Sequence, residues 1–377
     1  MTINLDNNAT TPASPEVVEA VVEAMTLGVG NAASPHSLGR AAAARVSAAA
    51  ESVGGLLGVT ANRLVWTSGA TEALNTALRA AVETHPHVVT ARTEHKAVLD
   101  TVVALSASGC DVTWVDCDEA GRITPDRLRH ALPDDAFVLT VMAANNETGV
   151  LNDVPTLAGI AHSAGGQVIC DATQQVGKLP VDLAAWDVDY AAVSAHKLYG
   201  PQGVGALVVP PVATARPLIN GGGHQRGWRS GTLNVPGIVG FGVAAALAEE
   251  ALSQEAARLE DLRDYFHRLL ESKLGSLSVN GGAASRLPNT LNVRIPGVDA
   301  DALVVNCSDV AFSSGSACTS AIPTPSHVLR AMGLTDVHSE QSVRFSLGRQ
   351  TSLQDIEHAA KSIVEGVERI RHLEGHV

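Results

Sequence analysis

The chain of 377 residues is long enough to bury a large core, and 45% hydrophobic against 17% charged residues describes a globular protein of two domains, or of one domain with an appendage. A formal charge of −13 and an aromatic content of 3% argue against a broad phosphate-binding surface and against aromatic platforms for single-stranded nucleic acid. The sequence reads without a run near the ~18 apolar residues of a membrane helix, and "MTINLDNNATTP" has neither the basic end nor the apolar stretch of a signal peptide, so the expectation is a cytoplasmic chain with no membrane or direct nucleic-acid partner.

The first element is "SPEVVEAVVEAM", with Ser14 as N-cap, Pro15 in the first turn, and Val17, Val18, Val21, Val22 and Met25 as an apolar stripe at helical spacing. "TSGATEAL" then places Ser68 to Thr71 before a helix that starts near Glu72. Six short apolar runs read as buried strands: "HVVTA", "DVTWVD", "FVLTVMA", "QVICDA", "YAAVSA" and "GALVVP". Helical patterns such as "TPDRLRHAL" and "VPTLAGIAHSAG" lie between them, and this alternation implies a parallel sheet covered on both faces. The pattern breaks at the Gly-rich, Arg-bearing loop 216–232, which reads as flexible and unsuited to a core. A long helix from about Val235 to Leu274 follows, and the last helix carries Leu353, Ile356, Ala360, Ile363, Val367 and Ile370 on one side. The expected organisation is a large α/β domain, residues 14–255, and a smaller α+β domain made of 1–13 and 256–377.

Three stretches sit at strand ends, where open α/β sheets bind ligands. Asp171 and Gln174 follow one strand, His196 and Lys197 follow another, and "SGATE" opens a helix. Taken singly each has a structural explanation: Asp171 as a helix cap, Lys197 as a surface lysine, "SGATE" as ordinary capping. Together, a carboxylate, a lysine and a helix N-terminus are what pyridoxal phosphate needs: an amine for the Schiff base, an acid for the pyridine nitrogen, and backbone N–H groups for phosphate. His95 in "TEHKAVLD" is then a candidate for ring stacking and proton transfer.

The five cysteines, Cys110, Cys117, Cys170, Cys307 and Cys318, contain no C-x-x-C pair, which suggests neither a disulfide framework nor a metal site. Cys318 stands apart in "SSGSACTS", among serines and glycine with Pro323 and Pro325 soon after, a turn-forming context that no core cysteine needs.

The ordered set "NLDNNATTP", "GNAASPHSLGR", "TSGATEA", "TEHKAVLD", "ANNETGV", "DATQQVGK", "SAHKLYGPQGVGAL", "GGGHQRGWRSGT", "LPNTLNV", "SSGSACTS", "PSHVLRAMG" and "SVRFSLGR" resembles the cysteine desulfurases of the housekeeping and nitrogen-fixation group, within the fold-type I pyridoxal-phosphate enzymes. The resemblance spans nearly the whole chain and implies a mostly parallel seven-stranded sheet in the large domain. It implies Lys197 as the Schiff-base lysine and Cys318 as the persulfide-forming nucleophile, with Asp171 at the pyridine nitrogen, Gln174 at the ring hydroxyl and His95 over the ring. Ala70, Thr71, Ser194 and His196 would hold phosphate, joined by Thr232 from a neighbouring subunit of a homodimer. Asn146 and Arg344 would bind the carboxylate of L-cysteine. The sulfur would pass to an acceptor protein for iron–sulfur cluster assembly, tRNA thiolation or another thiolation. Two departures, the end at "RHLEGHV" and the "TSAIPTPSH" that follows the nucleophile, leave that acceptor open. The competing readings are a small-substrate aminotransferase or selenocysteine-specific lyase, which have less use for Cys318, and a non-enzymatic partner protein that kept the fold.

Overall fold

A short strand, β1 (Ile3–Asn4), opens the chain, and after an irregular segment come α1 (Pro15–Thr26) and α2 (Ser37–Leu57). The computed structural model describes residues 2–27, 29–275, 277–314, 325–373 and 375. Pro15 enters α1 where its missing N–H is no loss, but the Ser14 hydroxyl is buried and makes no cap bond. The stripe expected on α1 is divided: Val17 is buried, whereas Val18, Val22 and Met25 are at least half exposed, so only one edge of the stripe meets the core.

Strand and helix then alternate as β2 (Leu64–Thr67), α3 (Ala70–Ala81), β3 (His87–Ala91), α4 (Lys96–Ser106), β4 (Asp111–Val115), α5 (Pro125–Ala131), β5 (Phe137–Met142), α6 (Val154–Ser163), β6 (Gln167–Asp171), β7 (Tyr190–Ser194) and β8 (Gly205–Val208). These strands form one seven-stranded sheet in the order β2-β8-β7-β6-β5-β3-β4. It is parallel except at β8, which runs against both β2 and β7. Adjacent residues along a strand face opposite ways: Val89, Leu139 and Cys170 join one core while Val88, Val138 and Ile169 join the other, so both faces are covered. Six strands coincide with the apolar runs of the sequence. The seventh, β2, is a four-residue edge strand without that prominence, and the 216–232 loop covers its free side. The Gln225 side chain there accepts from Trp66 N at 2.6 Å and donates to Trp66 O at 2.9 Å, pairing with the edge as a strand would. Trp228 is buried edge-on to Tyr190, so this loop does contribute to a core, contrary to the reading from its glycines.

The remainder comprises α7 (Val235–Leu274), β9 (Ser278–Val279), β10 (Thr290–Arg294), α8 (Ala300–Asn306), β11 (Val310–Ala311), β12 (Ser313–Ser314), α9 (His327–Ala331), α10 (Asp336–Glu340), β13 (Ser342–Ser346) and α11 (Leu353–Leu373). A four-stranded antiparallel sheet, β12-β13-β10-β9, carries a separate core in which Leu5 packs with residues from Leu259 onward, and β1 pairs with β11. On α11 the expected stripe is buried from Ile356 to Ile370; Leu353, at the first position, is exposed. By length and composition α7 could cross a membrane, contrary to the sequence expectation; here it packs against α1, α2 and α11. Its first half, including Ile238, Phe241 and Ala248, belongs to the large sheet's core, and Leu259, Phe266 and Leu270 belong to the second.

Candidate active site

A cavity of about 690 Å³ opens at the carboxyl ends of the parallel strands, and Ala70, Thr71, His95, Asn146, Asp171, Gln174, Ser194, His196, Lys197 and Arg344 all line it. All but Arg344, which lies within β13, stand at or just beyond a strand end or in the first turn of a helix. Thr232 is exposed and is not among the lining residues of its own chain, which is what a residue directed at another subunit requires. Cys318 lies outside the described residues.

Lys197 ends a 3₁₀ turn, Ala195–Lys197, directly after β7. Its Nζ donates to the backbone oxygens of Asn8 (2.7 Å) and Ala9 (2.6 Å). Burial first, and the Arg344 charge second, push this amine down from 10.5 to about 8, with Asp171 and Asp6 opposing. Near neutral pH about a tenth of it is therefore free base, the nucleophilic form, far more than an ordinary lysine offers. Asp171 ends β6, with Oδ1 accepting from Thr173 N at 3.0 Å. His95 caps α4: its Nδ1 accepts from Ala97 N at 3.1 Å, which leaves the ring proton on Nε2 in the neutral form. Burial lowers the His95 pKa, so that neutral form prevails. His196 is pushed down to about 4 by burial and by Lys197 and Lys178, and its Nδ1 pairs with Thr10 Oγ1 at 3.1 Å.

The opposite wall comes from the N-terminal segment and the small sheet. Asn8 joins them: its backbone oxygen accepts from Lys197 and from Gln174 Nε2 (3.0 Å), its Oδ1 from Lys178 Nζ (3.3 Å) and Asn289 Nδ2 (3.1 Å), and its Nδ2 donates to Thr290 Oγ1 (2.9 Å). Lys178 Nζ also donates to Gln174 Oε1 at 2.7 Å, which fixes the orientation of that amide. Burial, then Lys197 and Arg344, hold the Lys178 pKa well down. Two carboxyls are buried beside the cavity: Glu147 lines it, and Glu94 lies behind the strand-end side. Glu94 accepts from Met142 N at 2.7 Å, and burial pushes it up to about 8. Glu147, raised chiefly by burial, accepts from the Ser326 hydroxyl. The sequence reading named none of Asp6, Asn8, Glu94, Glu147, Lys178 or His327, although each falls inside a quoted motif. The available signal was a charged residue inside an otherwise small or apolar stretch, as in "ANNETGV" and "DATQQVGK".

The donor set fits pyridoxal phosphate. The N-terminus of the 12-residue helix α3 stands beside Ser194 and His196 at one end of the cavity, with a poorly solvated amine, a carboxylate and a neutral imidazole further in. Gly205 keeps this cradle tight: a Cβ there would come within 2.6 Å of Val193 O and 2.7 Å of Gly69 Cα. A parallel α/β sheet with this cluster at its carboxyl edge defines an enzyme of the pyridoxal-phosphate type.

The class-V aminotransferase profile matches residues 3–358, and the chain belongs to that family. It is 46% identical over 98% of its length, and over 94% of the relative's, to a protein of Anaeromyxobacter sp. (strain Fw109-5) named cysteine desulfurase IscS. A Pseudomonas aeruginosa (strain UCBPP-PA14) protein of the same name is 42% identical with the same coverage. A solved structure described as a NifS-like protein superposes with a TM-score of 0.91 at 35% identity, covering 98% of this chain and all of that one.

Proposed function

We propose that the protein is a cysteine desulfurase, removing sulfur from L-cysteine to leave L-alanine and an enzyme persulfide on Cys318. The observation that carries this reading is the convergence of Lys197, Asp171, His95 and Arg344 on one cavity in a chain of this family. When bound, pyridoxal phosphate supplies an aldehyde for the substrate amine and a ring that accepts the electrons left at Cα. Ala70, Thr71, Ser194 and His196 would hold its phosphate, with the Thr232 hydroxyl of a second copy adding a hydrogen-bond donor. Asp171 would serve the ring nitrogen, Gln174 the ring hydroxyl, and His95 the ring face. Arg344, helped by Asn146, takes the substrate carboxylate. Lys197, as free base, removes the α-proton, and His95 Nε2 is placed to move a proton on the cavity side.

The Cys318 thiolate then attacks the substrate sulfur. An S–S bond forms as the carbon–sulfur bond breaks, and protonation of the carbon completes alanine. Burial raises the thiol pKa of Cys117, Cys170 and Cys307, which disfavours their thiolates and supports Cys318 as the nucleophile. The persulfide is passed to an acceptor protein in iron–sulfur cluster assembly or another thiolation, in the cytoplasm. A homodimer is supported by the exposed apolar residues Val18, Val22 and Met25 on α1, together with Leu27, Val29 and Leu38 nearby, a patch that a second copy would cover. We also read residues 14–255 as the cofactor-binding domain and 1–13 with 256–377 as the smaller one; the pairing of β1 with β11 supports that division.

The test is mass spectrometry of the protein after exposure to L-cysteine. One extra sulfur on Cys318, absent from Cys318→Ala along with sulfide release, is expected. Extra sulfur on Cys110, Cys117, Cys170 or Cys307 of the active protein contradicts the assignment.

A further inference from the structure

The guanidinium of Arg344, on β13, already holds a carboxylate. Its Nη2 donates to Asp6 Oδ1 at 2.6 Å and to Ser313 Oγ at 2.9 Å, while Nη1 donates to the backbone oxygen of Asn146 at 3.0 Å. Nε is buried and has no partner among the described residues. Ser313 Oγ in turn donates to the same Asp6 oxygen at 2.8 Å, so Asp6, Ser313 and Nη2 form a closed triangle. Asp6 and Arg344 line the same cavity. A carboxylate bound bidentately at the outer end of a guanidinium needs one hydrogen from each Nη. Nη2 is where Asp6 sits.

We propose that Asp6 is a built-in competitor for the substrate carboxylate: cysteine binds by taking Asp6's place on Arg344 Nη2, and the Asp6–Arg344–Ser313 triangle opens as it does so. The proposal rests on the reading that Arg344 receives the substrate carboxylate. Asp6 and the substrate are alike in charge and both draw on Nη2, so the bond that the guanidinium loses to Asp6 is regained from the substrate. The consequence is selective. A ligand that carries a carboxylate must displace Asp6, and a ligand without one need not.

The experiment uses the holoenzyme and two probes: 3-mercaptopropionate, which has the thiol and carboxylate but no amine, and cysteamine, which has the thiol and amine but no carboxylate. Calorimetric Kd values are measured for both, with KM for L-cysteine alongside. Asp6→Asn should lower the Kd of 3-mercaptopropionate and the KM of L-cysteine by about tenfold, the size of one charge-assisted hydrogen bond no longer competed for. Ser313→Ala, which leaves Asp6 charged but loosens the triangle, should lower both by about threefold. The Kd of cysteamine should not follow. Arg344→Gln should raise the values for both carboxylate ligands; if it leaves them unchanged, the reading of Arg344 fails and the proposal with it. If Arg344→Gln raises them and Asp6→Asn raises them too, or has no effect, Asp6 orients Arg344 and does not compete. An equal gain for cysteamine would make the effect one of general charge and would also overturn the proposal.

Discussion

The two walls of the cavity are built on different principles. On one side Lys197, Asp171 and His95 each stand within a few residues of the end of a parallel strand, and the sheet's hydrogen bonds set their spacing. On the other, Asp6, Asn8, Ser313 and Arg344 are brought together from the two ends of the chain; Asp6 and Arg344 are 338 positions apart. The first wall is positioned by packed backbone and the second by side-chain hydrogen bonds. Substitutions on the first should therefore remove chemistry and spare the fold, whereas substitutions on the second should change stability and ligand exchange.

The largest effect tests the first wall. Lys197→Ala should lower turnover by about four orders of magnitude, because the residue acts at the reacting carbon, and should abolish the absorbance of the lysine–cofactor Schiff base. Its melting temperature should change little, since among the described residues the Lys197 amine bonds two backbone oxygens and no side chain. In the unsubstituted apoprotein, cofactor uptake should rise with pH through about 8 and not 10.5, because the deprotonated amine is the reactive form. A variant that unfolds, or an uptake midpoint near 10.5, would erase the distinction between the walls.

Next comes the second wall. Asn8→Ala leaves the backbone acceptor of Lys197 in place but strips partners from buried Lys178, Asn289 and Thr290. The expected loss is about 2 kcal/mol by denaturant unfolding, the cost of removing one partner from each of three buried groups that keep another. A loss below about 1 kcal/mol would mean that water or neighbouring groups replace the side chain readily.

The smallest effect sharpens the comparison through pH. Glu94 backs the strand-end wall with a carboxyl whose pKa is raised to about 8 from 4.5. Between those values the unfolded chain gives up a proton that the folded chain keeps, so Glu94 makes the protein less stable as pH rises through that window. Glu94→Gln has no proton to lose. Relative to the unsubstituted protein it should gain stability progressively from about pH 5 to about pH 8. A difference that stays flat with pH would show that Glu94 ionises in the folded state.

The same contrast explains what the sequence disclosed. Lys197 and Asp171 were legible because an apolar strand followed by a charged residue and a turn is a local pattern, and six of the seven sheet strands were legible for the same reason. Short β2 lacked that prominence, and the role of Gln225 along its edge depends on a partner 159 positions away. Arg344 was named only through the family resemblance; Asp6 and Lys178 were missed, because nothing near them in sequence states what they touch. The stripe on α1 was a correct period with an incomplete interpretation, since spacing gives a face and not what covers it.

The 40 residues of α7 extend about 60 Å at 1.5 Å per residue, and they are shared by both cores. The far half is pinned to the turn after β13, where Arg349 Nε pairs with Glu255 at 2.9 Å and Arg258 Nη1 donates to Thr351 O at 2.7 Å. The helix thus acts as a keyed shaft: the angular phase at which the Arg344 sheet meets the Lys197 sheet is stored as a residue count. Inserting one residue between 249 and 255 would turn the far end by about 100° and advance it by about 1.5 Å. The middle of α7 should accordingly tolerate changes of surface side chain far better than changes of length.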